Sequence, residues 1–309
     1  MPIVSDRRDF LKLGLSAAAA VALQPRRAWA QQENPATVPV KPTKLTDNLY
    51  LLQGVGGNMA LHFGLDGVLL VDASYAPSVP RICEAIAALV PATMPPGGLL
   101  VNTHWHGDHT GGNEGLHAAG FRILAHRKTR ERLSTPQTMK LFHNTVPPSP
   151  AGALPGAVFD ETLTLYCNGE TVDLAHTPPA HTDTDLWVYW EKADVLHTGD
   201  LFFNGIFPVI DESSNGSIGG MIAAGERILK LAGPNTKIIP GHGPLATRQD
   251  YVRFHQMLIA VRDRVAALKR QGLSEQEVVA KDPTAEFDAT LGRGFMKADI
   301  FTGVVYRTL

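Results

Sequence analysis

Four potential metal ligands lie within six consecutive residues in the first half of the chain: His104, His106, Asp108 and His109. Alternate residues of a strand share one face, so a strand ending here would aim His104 and His106 to the same side. After a bend at Gly107, Asp108 and His109 can aim at a second point nearby. Neutral imidazole and carboxylate oxygen suit zinc-like cations. The spacing therefore indicates a metal site rather than a polar loop that is rich in histidine by chance.

Three further candidate ligands, His181, Asp200 and His242, lie later in the chain. Each follows a segment with the pattern of a strand, at the point where a proline or glycine turn begins. Such junctions matter because loops on a rigid scaffold tend to carry function. A lone histidine at one of these places is more often structural. Taken with the first cluster, however, all three are interpreted as ligands.

With these residues the chain resembles the metallo-β-lactamase superfamily. The family motif is His-x-His-x-Asp-His, then a distant His, an Asp or Cys, and a final His, and it matches at all seven positions. Val71-Asp72-Ala73 is similar to the family's early strand that ends in an aspartate. The resemblance gives Asp72 the task of accepting hydrogen bonds from the ligand loop and orienting it, although capping of the following turn also fits that position. The similarity runs from about Leu45 to the C-terminus.

The resemblance implies two divalent metal ions, with zinc as the expected element. The implied ligand sets are His104, His106 and His181 for the first ion, and Asp108, His109 and His242 for the second. Asp200 stands where the β-lactamases of closest pattern carry a cysteine. A carboxylate there can join both ions, as in the hydroxyacylglutathione hydrolase and lactonase branches. Gly199 to Phe203 matches the Gly-Asp-x-x-Phe pattern of those branches.

The chemistry implied is hydrolysis of a small-molecule substrate. A divalent ion lowers the pKa of bound water to about 7, so a metal-bridging hydroxide can attack an ester, lactone, thioester or lactam carbonyl at neutral pH. Asp108 is the predicted catalytic residue, because it can ligate the second ion and also orient the hydroxide or pass a proton to the leaving group. No Gly-x-Ser-x-Gly pattern supports a serine nucleophile instead.

Two alternative functions stay open at this point. One is a periplasmic metallo-β-lactamase acting on β-lactam antibiotics, although the lysine that typically anchors the lactam carboxylate is missing after Asp200. Lys230, Arg248 or Arg253 would have to replace it. The other alternative is a relay or binding protein of a periplasmic oxidase system with little turnover. A redox branch that uses iron is disfavoured, because such branches alter the ligand set, which is complete here.

The substrate pocket is less sharply defined by the sequence. Aromatic side chains near the ligands predict an apolar site, namely Trp105, Phe202, Phe203 and Phe207. Trp105 and Asn215 are the candidate substrate-binding residues. Asn215 either polarises a substrate carbonyl, as an asparagine of this region does in the β-lactamase pattern, or belongs to a helix-entry turn. Met139–Gly156 is either a mobile lid or a surface connection.

The N-terminus has the pattern of an export signal. Arg7 and Arg8 lie in a motif that resembles the twin-arginine signal, which a receptor of the export machinery reads. A moderately apolar run from Leu13 to Leu23 follows, too short to span a bilayer. Ala28-Trp29-Ala30 then matches a cleavage site, so residues 1–30 are the predicted signal peptide and Gln31 begins the mature periplasmic chain. An amphipathic cytoplasmic helix is the alternative.

The composition favours a soluble enzyme. The chain has 309 residues, 44% hydrophobic content and a formal net charge of −2. This balance argues against nucleic-acid partners, which need positive surface, and against a stable membrane anchor. The two cysteines, Cys83 and Cys167, are expected to be free and mostly buried thiols, although the periplasm would allow them to pair.

The elements needed to position the ligands indicate the α/β class. Apolar strands alternate with helices in two halves, each of which delivers ligands to one edge. This pattern predicts a four-layer αββα sandwich, with two mixed sheets packed together and helices outside. Residues 31–44 form an extended lead-in and residues 45–309 a single catalytic domain. The clearest predicted helices are Val79–Val90, Ile218–Leu231 and Tyr251–Gln271.

Overall fold

This computed structural model describes residues 34–94 and 97–309, which are built around β-strands. The predicted twin-arginine signal peptide therefore lies outside the described residues. In chain order the strands are β1 (Lys41–Lys44), β2 (Leu49–Gln53), β3 (Met59–Gly64), β4 (Gly67–Val71), β5 (Gly98–Asn102), β6 (Phe121–His126), β7 (Gln137–Met139), β8 (Asn144–Val146), β9 (Ala157–Phe159), β10 (Thr162–Cys167), β11 (Glu170–His176), β12 (Leu186–Trp190), β13 (Val195–His197), β14 (Lys237–Ile239) and β15 (Ala246–Thr247).

The strands form two mixed sheets and one small hairpin. The first sheet has the order β1-β2-β3-β4-β5-β6-β9 and the second the order β10-β11-β12-β13-β14-β15. In the first, β1 to β4 pair antiparallel, whereas β4, β5, β6 and β9 run parallel. In the second, β13 and β14 are parallel and the other neighbours antiparallel. The hairpin pairs β7 with β8.

Helices connect and cover these sheets. They are α1 (Val79–Leu89), α2 (Gly107–Thr110), α3 (Asn113–Ala118), α4 (Arg127–Leu133), α5 (Ile218–Leu231), α6 (Arg248–Arg270), α7 (Glu275–Ala280), α8 (Ala285–Leu291) and α9 (Ala298–Arg307). The long helix α6 begins with a capping box, in which Thr247 and Asp250 satisfy each other's backbone N–H groups. Helix α5 begins at the N-cap Ser217, whose side chain accepts from the N–H of Gly220.

Three apolar clusters show that the layers are stacked in the predicted αββα order. The central cluster joins the two sheets and includes Val101 from the first and Trp190 from the second. A second cluster packs Ile82 of α1 against the outer face of the first sheet. The third packs Leu258 of α6 and Phe301 of α9 against the outer face of the second sheet. The predicted fold class is confirmed.

Neighbouring strand residues explain why the central strands are apolar throughout. Leu100 belongs to the outer cluster and Val101 to the central one, and Ile238 and Ile239 divide in the same way. Successive side chains of a strand point to opposite faces. A strand covered on both faces therefore needs a continuous apolar run, which is the pattern of parallel strands inside a sandwich.

Several elements differ from the predictions. Lys41–Lys44, expected to be part of an extended lead-in, pairs with β2 as an exposed edge strand. The segment Met139–Gly156 contains strand β8 and is attached to the body of the protein, because the N–H of Lys140 donates to Ser213 Oγ at 3.0 Å. Helices α7 to α9 have no counterpart among the predicted elements. No helix of the described residues is long and apolar enough to cross a membrane.

Candidate metal centre

The predicted ligands meet because they follow strands that end at the same side of the molecule. Asp72 follows β4, and His104 comes shortly after its parallel neighbour β5. In the second sheet Asp200 follows β13 and His242 follows the parallel strand β14. His181 lies in the loop after β11. Ligand sites of α/β proteins commonly lie at the carboxyl ends of strands, where loops from several strands converge.

The first group of ligands is fully enclosed by protein. It contains His104, His106, His181 and Asp200, all buried, whose possible ligand atoms lie within 4.8 Å of one another. His181 Nε2 is 2.8 Å from His106 Nδ1. Asp200 Oδ2 lies 3.4 Å from His181 Nε2 and 3.8 Å from His104 Nε2. The structure thus brings together the set predicted for the first ion, with Asp200 beside it.

The second group of ligands is partly open to solvent. It contains Asp108, His109 and His242. Asp108 Oδ2 is 3.1 Å from His242 Nε2, and 20% of the Asp108 side chain is exposed. The Nε2 atoms of His109 and His242 are 3.4 Å apart. Asp200 Oδ1 reaches this group as well, at 3.1 Å from His109 Nε2 and 3.5 Å from His242 Nε2. The Asp200 carboxylate therefore faces both groups.

Four of the candidate ligand histidines direct one ring nitrogen at the centre. Their second ring nitrogen forms a hydrogen bond to a group outside it. The pairs are His104 Nδ1 with Thr103 Oγ1 at 3.1 Å, His106 Nε2 with Asp211 Oδ2 at 3.1 Å, His109 Nδ1 with Asp72 Oδ2 at 2.7 Å, and His181 Nδ1 with the Val209 carbonyl at 2.8 Å. An acceptor at one nitrogen fixes the proton there and leaves a lone pair on the other. Each lone pair then points into the centre, as in histidines that bind metals.

This arrangement fits divalent cations. His104 Nε2 and Asp200 Oδ1 are buried and have no hydrogen-bond partner. Two imidazole lone pairs that face each other at 2.8 Å, as in His181 and His106, would repel each other if nothing lay between them. Buried polar atoms without partners are rare because their desolvation is costly. Nitrogen and carboxylate ligands in this number are those that zinc-like ions prefer.

The charges of the centre follow from burial and from the two carboxylates. Burial opposes the charge on His242, but Asp200 and Asp108 outweigh it and raise its pKa to about 9. Burial likewise opposes the charge on Asp200, but His242 and His109 hold its pKa well below the usual range. Burial dominates at His181 and lowers its pKa to about 4. Asp200 is therefore ionised and His181 neutral, as cation binding requires, whereas a cation bound by His242 would have to displace its proton.

Asp72 holds the ligand loop, as the sequence predicts. Its side chain is fully buried and accepts from the N–H of Thr103, the hydroxyl of Thr103 and the Nδ1–H of His109, each at 2.7 Å. The Thr103 oxygen in turn accepts from His104 Nδ1. One carboxylate thus orients a histidine of each group, and it does so from a left-handed backbone conformation with φ 64°.

Two glycines let the backbone pass close to the ligands. A Cβ atom at Gly57 would lie 2.2 Å from the His109 ring, and one at Gly241 would lie 1.9 Å from Asp200 Oδ1. Asn58 ties the two segments together, since its N–H donates to the Gly241 carbonyl at 2.8 Å. Glycine is required at these approaches because any side chain would displace a ligand.

Asp211 was missed by sequence reasoning, although it contacts a ligand directly. Its carboxylate accepts from His106 Nε2 and from the Ser214 hydroxyl, and burial is outweighed by His106 so that its pKa is lowered. Trp105 belongs to the same network, because its indole N–H donates to Ser214 Oγ at 3.0 Å. Only 2% of Trp105 is exposed. This corrects the prediction that Trp105 binds substrate, since it is placed instead to support His106, 4.7 Å away between ring centres.

Asn215 lies in a turn before α5, with a left-handed φ of 62°. Its amide donates to Asp183 Oδ2 at 2.8 Å, and the same carboxylate forms a two-point ion pair with Arg132. The turn that the sequence allowed is therefore present. The role of Asn215 in polarising a substrate carbonyl stays a prediction, and the amide nitrogen would have to leave Asp183 to perform it.

The predicted apolar residues divide into core and rim. Phe202 and Phe207 are fully buried in the core beside the second sheet, which corrects the expectation that they line the site. Phe203 is also buried, but its ring stacks on His242 with centres 5.2 Å apart. Phe295, which no sequence pattern singled out, places its ring 5.8 Å from that of His242. The Tyr75 ring lies close to Gly56, the neighbour of the Gly57 that approaches His109.

Comparison with known proteins agrees with this geometry. The sequence profile of the Metallo-beta-lactamase superfamily matches residues 54–242, which is more than half of the chain. The chain therefore belongs to the metallo-beta-lactamase superfamily. A hydroxyacylglutathione hydrolase of Nitrosococcus oceani is 28% identical over 194 residues, covering 62% of this chain and 62% of that protein. The match thus spans less than two thirds of the relative's length. The family membership confirms the resemblance that the sequence motif indicates.

Solved structures of the same fold include enzymes with different names. A metallo-beta-lactamase from Pontibacter korlensis has a TM-score of 0.56 at 17% identity and covers 71% of this chain and 98% of its own. The stereoselective inverting sec-alkylsulfatase Pisa1 from Pseudomonas sp. has a TM-score of 0.64 at 16% identity and covers 87% of this chain and 50% of its own. At such identities the likeness shows the fold alone.

Proposed function

We propose that this protein is a dinuclear metallohydrolase that opens an ester, lactone or thioester carbonyl of a small molecule. The observation that carries the proposal is the position of Asp200, whose two carboxylate oxygens face the two ligand groups at 3.1–3.8 Å. A carboxylate shared in this way supports two cations side by side. Zinc is the expected element, because most of the ligands are imidazoles.

Seven side chains would hold the two ions in this proposal. His104, His106 and His181 would hold the first, and Asp108, His109 and His242 the second, with Asp200 between them. When bound, two such ions supply Lewis acidity and a water that ionises at neutral pH. The protein contributes the orientation of four of the five histidine rings through Asp72, Thr103, Asp211 and the Val209 carbonyl.

Asp108 is the residue that we propose for proton transfer. It has the most exposed side chain among the carboxylates of the centre, so a substrate can reach it. Burial acts against its charge, but His109 and His242 outweigh this and lower its pKa, so it is an acceptor at neutral pH. A carboxylate here can accept a proton from the attacking water and pass it to the departing alkoxide or thiolate.

The substrate class follows from Asp200 and from the leaving group. Alkoxides and thiolates leave with less assistance than the nitrogen of an opened lactam, for which a thiolate ligand in place of Asp200 would be better suited. We expect kcat/KM for esters, lactones or thioesters to exceed that for β-lactams by at least about tenfold, or roughly 1.4 kcal/mol in the transition state. The measurement is a panel of these substrates with zinc-loaded protein.

The panel also separates the alternatives. An enzyme that hydrolyses a penicillin or carbapenem and ignores every ester would contradict the proposed substrate class. Turnover of neither group by protein with full metal content would favour a binding or relay role. Two of the three basic side chains considered for the lactamase alternative are engaged elsewhere, since Arg248 donates to carbonyls at the end of α5 and Arg253 pairs with Asp250.

We also propose that the protein is exported to the periplasm by the twin-arginine machinery, with cleavage after Ala30. The support is the sequence around Arg7 and Arg8. Changing both to lysine should leave the precursor in the cytoplasm, because lysine cannot reproduce the planar guanidinium fork. Fractionation of cells that express each form tests this. Normal periplasmic accumulation of the double variant would indicate the general secretory route instead.

A further inference from the structure

Phe295 combines two properties that are seldom found together, namely exposure and contact with the metal centre. The side chain is 55% exposed, although phenylalanine is a residue that folding usually buries. Its ring centre lies 5.8 Å from that of His242 and 6.5 Å from that of Phe203, in edge-on arrangements. The Phe203 ring also stacks on that of His242, with the ring centres 5.2 Å apart.

The neighbours of Phe295 hold it in this position. A Cβ atom at Gly294 would lie 2.4 Å from Ile206 Cγ2, so the backbone is pressed against the loop that follows Phe203. Met296 on the other side is buried, with 2% exposure. Lys297 Nζ donates to the Gly294 carbonyl at 2.8 Å. The exposed ring is therefore supported from both sides rather than placed at the tip of a free loop.

We propose that Phe295 forms the apolar wall of the substrate site and selects substrates with an aryl or aliphatic group next to the scissile bond. The proposal rests on the function proposed above, because it deepens the description of the same site. Asp108 Oδ2 lies 3.1 Å from His242 Nε2, and the His242 ring lies 5.8 Å from that of Phe295, so a group attached to a carbonyl at Asp108 can reach the Phe295 ring. Covering an exposed ring removes apolar surface of both partners from water, which favours binding.

The test compares ester chain lengths in Phe295 variants. 4-Nitrophenyl acetate, butyrate, octanoate and phenylacetate are assayed with the zinc-loaded wild type, Phe295→Ala and Phe295→Leu. We expect Phe295→Ala to lower kcat/KM for octanoate and phenylacetate at least about tenfold, mainly through KM, and that for acetate less than about twofold. Phe295→Leu should restore most of the octanoate activity. Tyr166→Ala, which removes an exposed aromatic of β10, is the matched control and should change none of these.

A binding measurement separates this inference from the proposed function. Titration calorimetry of octanoate and acetate into the zinc-loaded protein should show preference for octanoate in the wild type and its loss in Phe295→Ala. If the wild type hydrolysed no ester but kept this preference, the proposed function would fail and the apolar wall would stand. Equal chain-length dependence in the wild type and Phe295→Ala would overturn the inference. So would self-association that disappears in Phe295→Ala, because the ring would then cover a second copy of the chain.

Discussion

Replacing Asp200 with asparagine should reduce the metal content from about two ions per chain to one or fewer and lower kcat/KM by about a thousandfold or more. Asp200 lies within 4 Å of histidine nitrogens of both ligand groups, and its charge would balance the second cation as well as the first. An amide of the same shape removes that charge. It also turns an N–H₂ group towards one of the two ions.

Metal content by mass spectrometry and hydrolysis of the best ester in the panel test this expectation. Asp160→Asn is a suitable control, because Asp160 is an exposed partner of Arg127 and surface pairs contribute little. A wild-type protein that holds one ion at saturating zinc would contradict the dinuclear proposal. So would an Asp200→Asn variant with two ions and full activity.

The Asp200→Cys variant tests whether the type of ligand at this position sets the substrate preference. A thiolate keeps the negative charge and still binds zinc, so the metal content should stay near two. The ratio of lactam to ester hydrolysis should rise, because the softer ligand restores the pattern of the β-lactamases that the sequence resembles. An unchanged ratio would show that substrate preference is set by the walls of the site, with Phe295 as the first residue to examine.

The candidate ligands could be found in the sequence because each stands in a recognisable local pattern. His104 to His109 form one short motif, and the later ligands stand where apolar strands end. Strand ends in this class of fold converge without any knowledge of side-chain packing. The layering also follows from the strands that are apolar on both faces, because each of them must be covered on two sides. The predicted αββα layering is confirmed, and the candidate ligands lie together in two neighbouring groups.

The supporting residues could not be predicted in this way, because long-range packing decides them. Asp211 contacts His106 from 105 positions away in the chain. Trp105 lies within the ligand motif, but its indole N–H donates to Ser214, which is 109 positions away in the chain. Phe295 looks like an ordinary apolar residue until the chain after α8 is placed beside His242. The sequence pattern alone contains no information on these contacts.

The edge strand and the C-terminal helices show the same limit. Lys41–Lys44 has no apolar residue to indicate burial, and pairing with β2 alone makes it a strand. Helices α7 and α8 are only six and seven residues long. Short helices depend on packing rather than on intrinsic propensity. Segments of this kind adopt regular secondary structure through contacts with neighbouring elements. The sequence pattern does not give the positions of those elements.

Asp72→Asn should be the most damaging change outside the ligands themselves. Asp72 accepts three hydrogen bonds, which reach His109 directly and His104 through Thr103. In asparagine an N–H₂ group replaces one carboxylate oxygen, so a donor would face the donors of Thr103 or His109. A buried donor left without a partner costs about 1–3 kcal/mol. Asparagine tolerates the left-handed φ of 64° at this position, so backbone strain is not the cause of the effect.

Two measurements separate stability from metal binding in this variant. Urea unfolding of the metal-free protein should show a loss of at least about 1–3 kcal/mol. Competition with a zinc chelator should show metal affinity about 10–100-fold weaker, the usual effect of removing a group that orients a ligand. Asp194→Asn is the matched control, because Asp194 has a left-handed φ of 50° and accepts from Tyr189 and Thr236 away from the metal centre. That control should lose stability but keep metal affinity. If Asp72→Asn kept both ions at wild-type affinity, the histidines would be oriented by the ions themselves, and the hydrogen bonds of Asp72 would serve the fold alone.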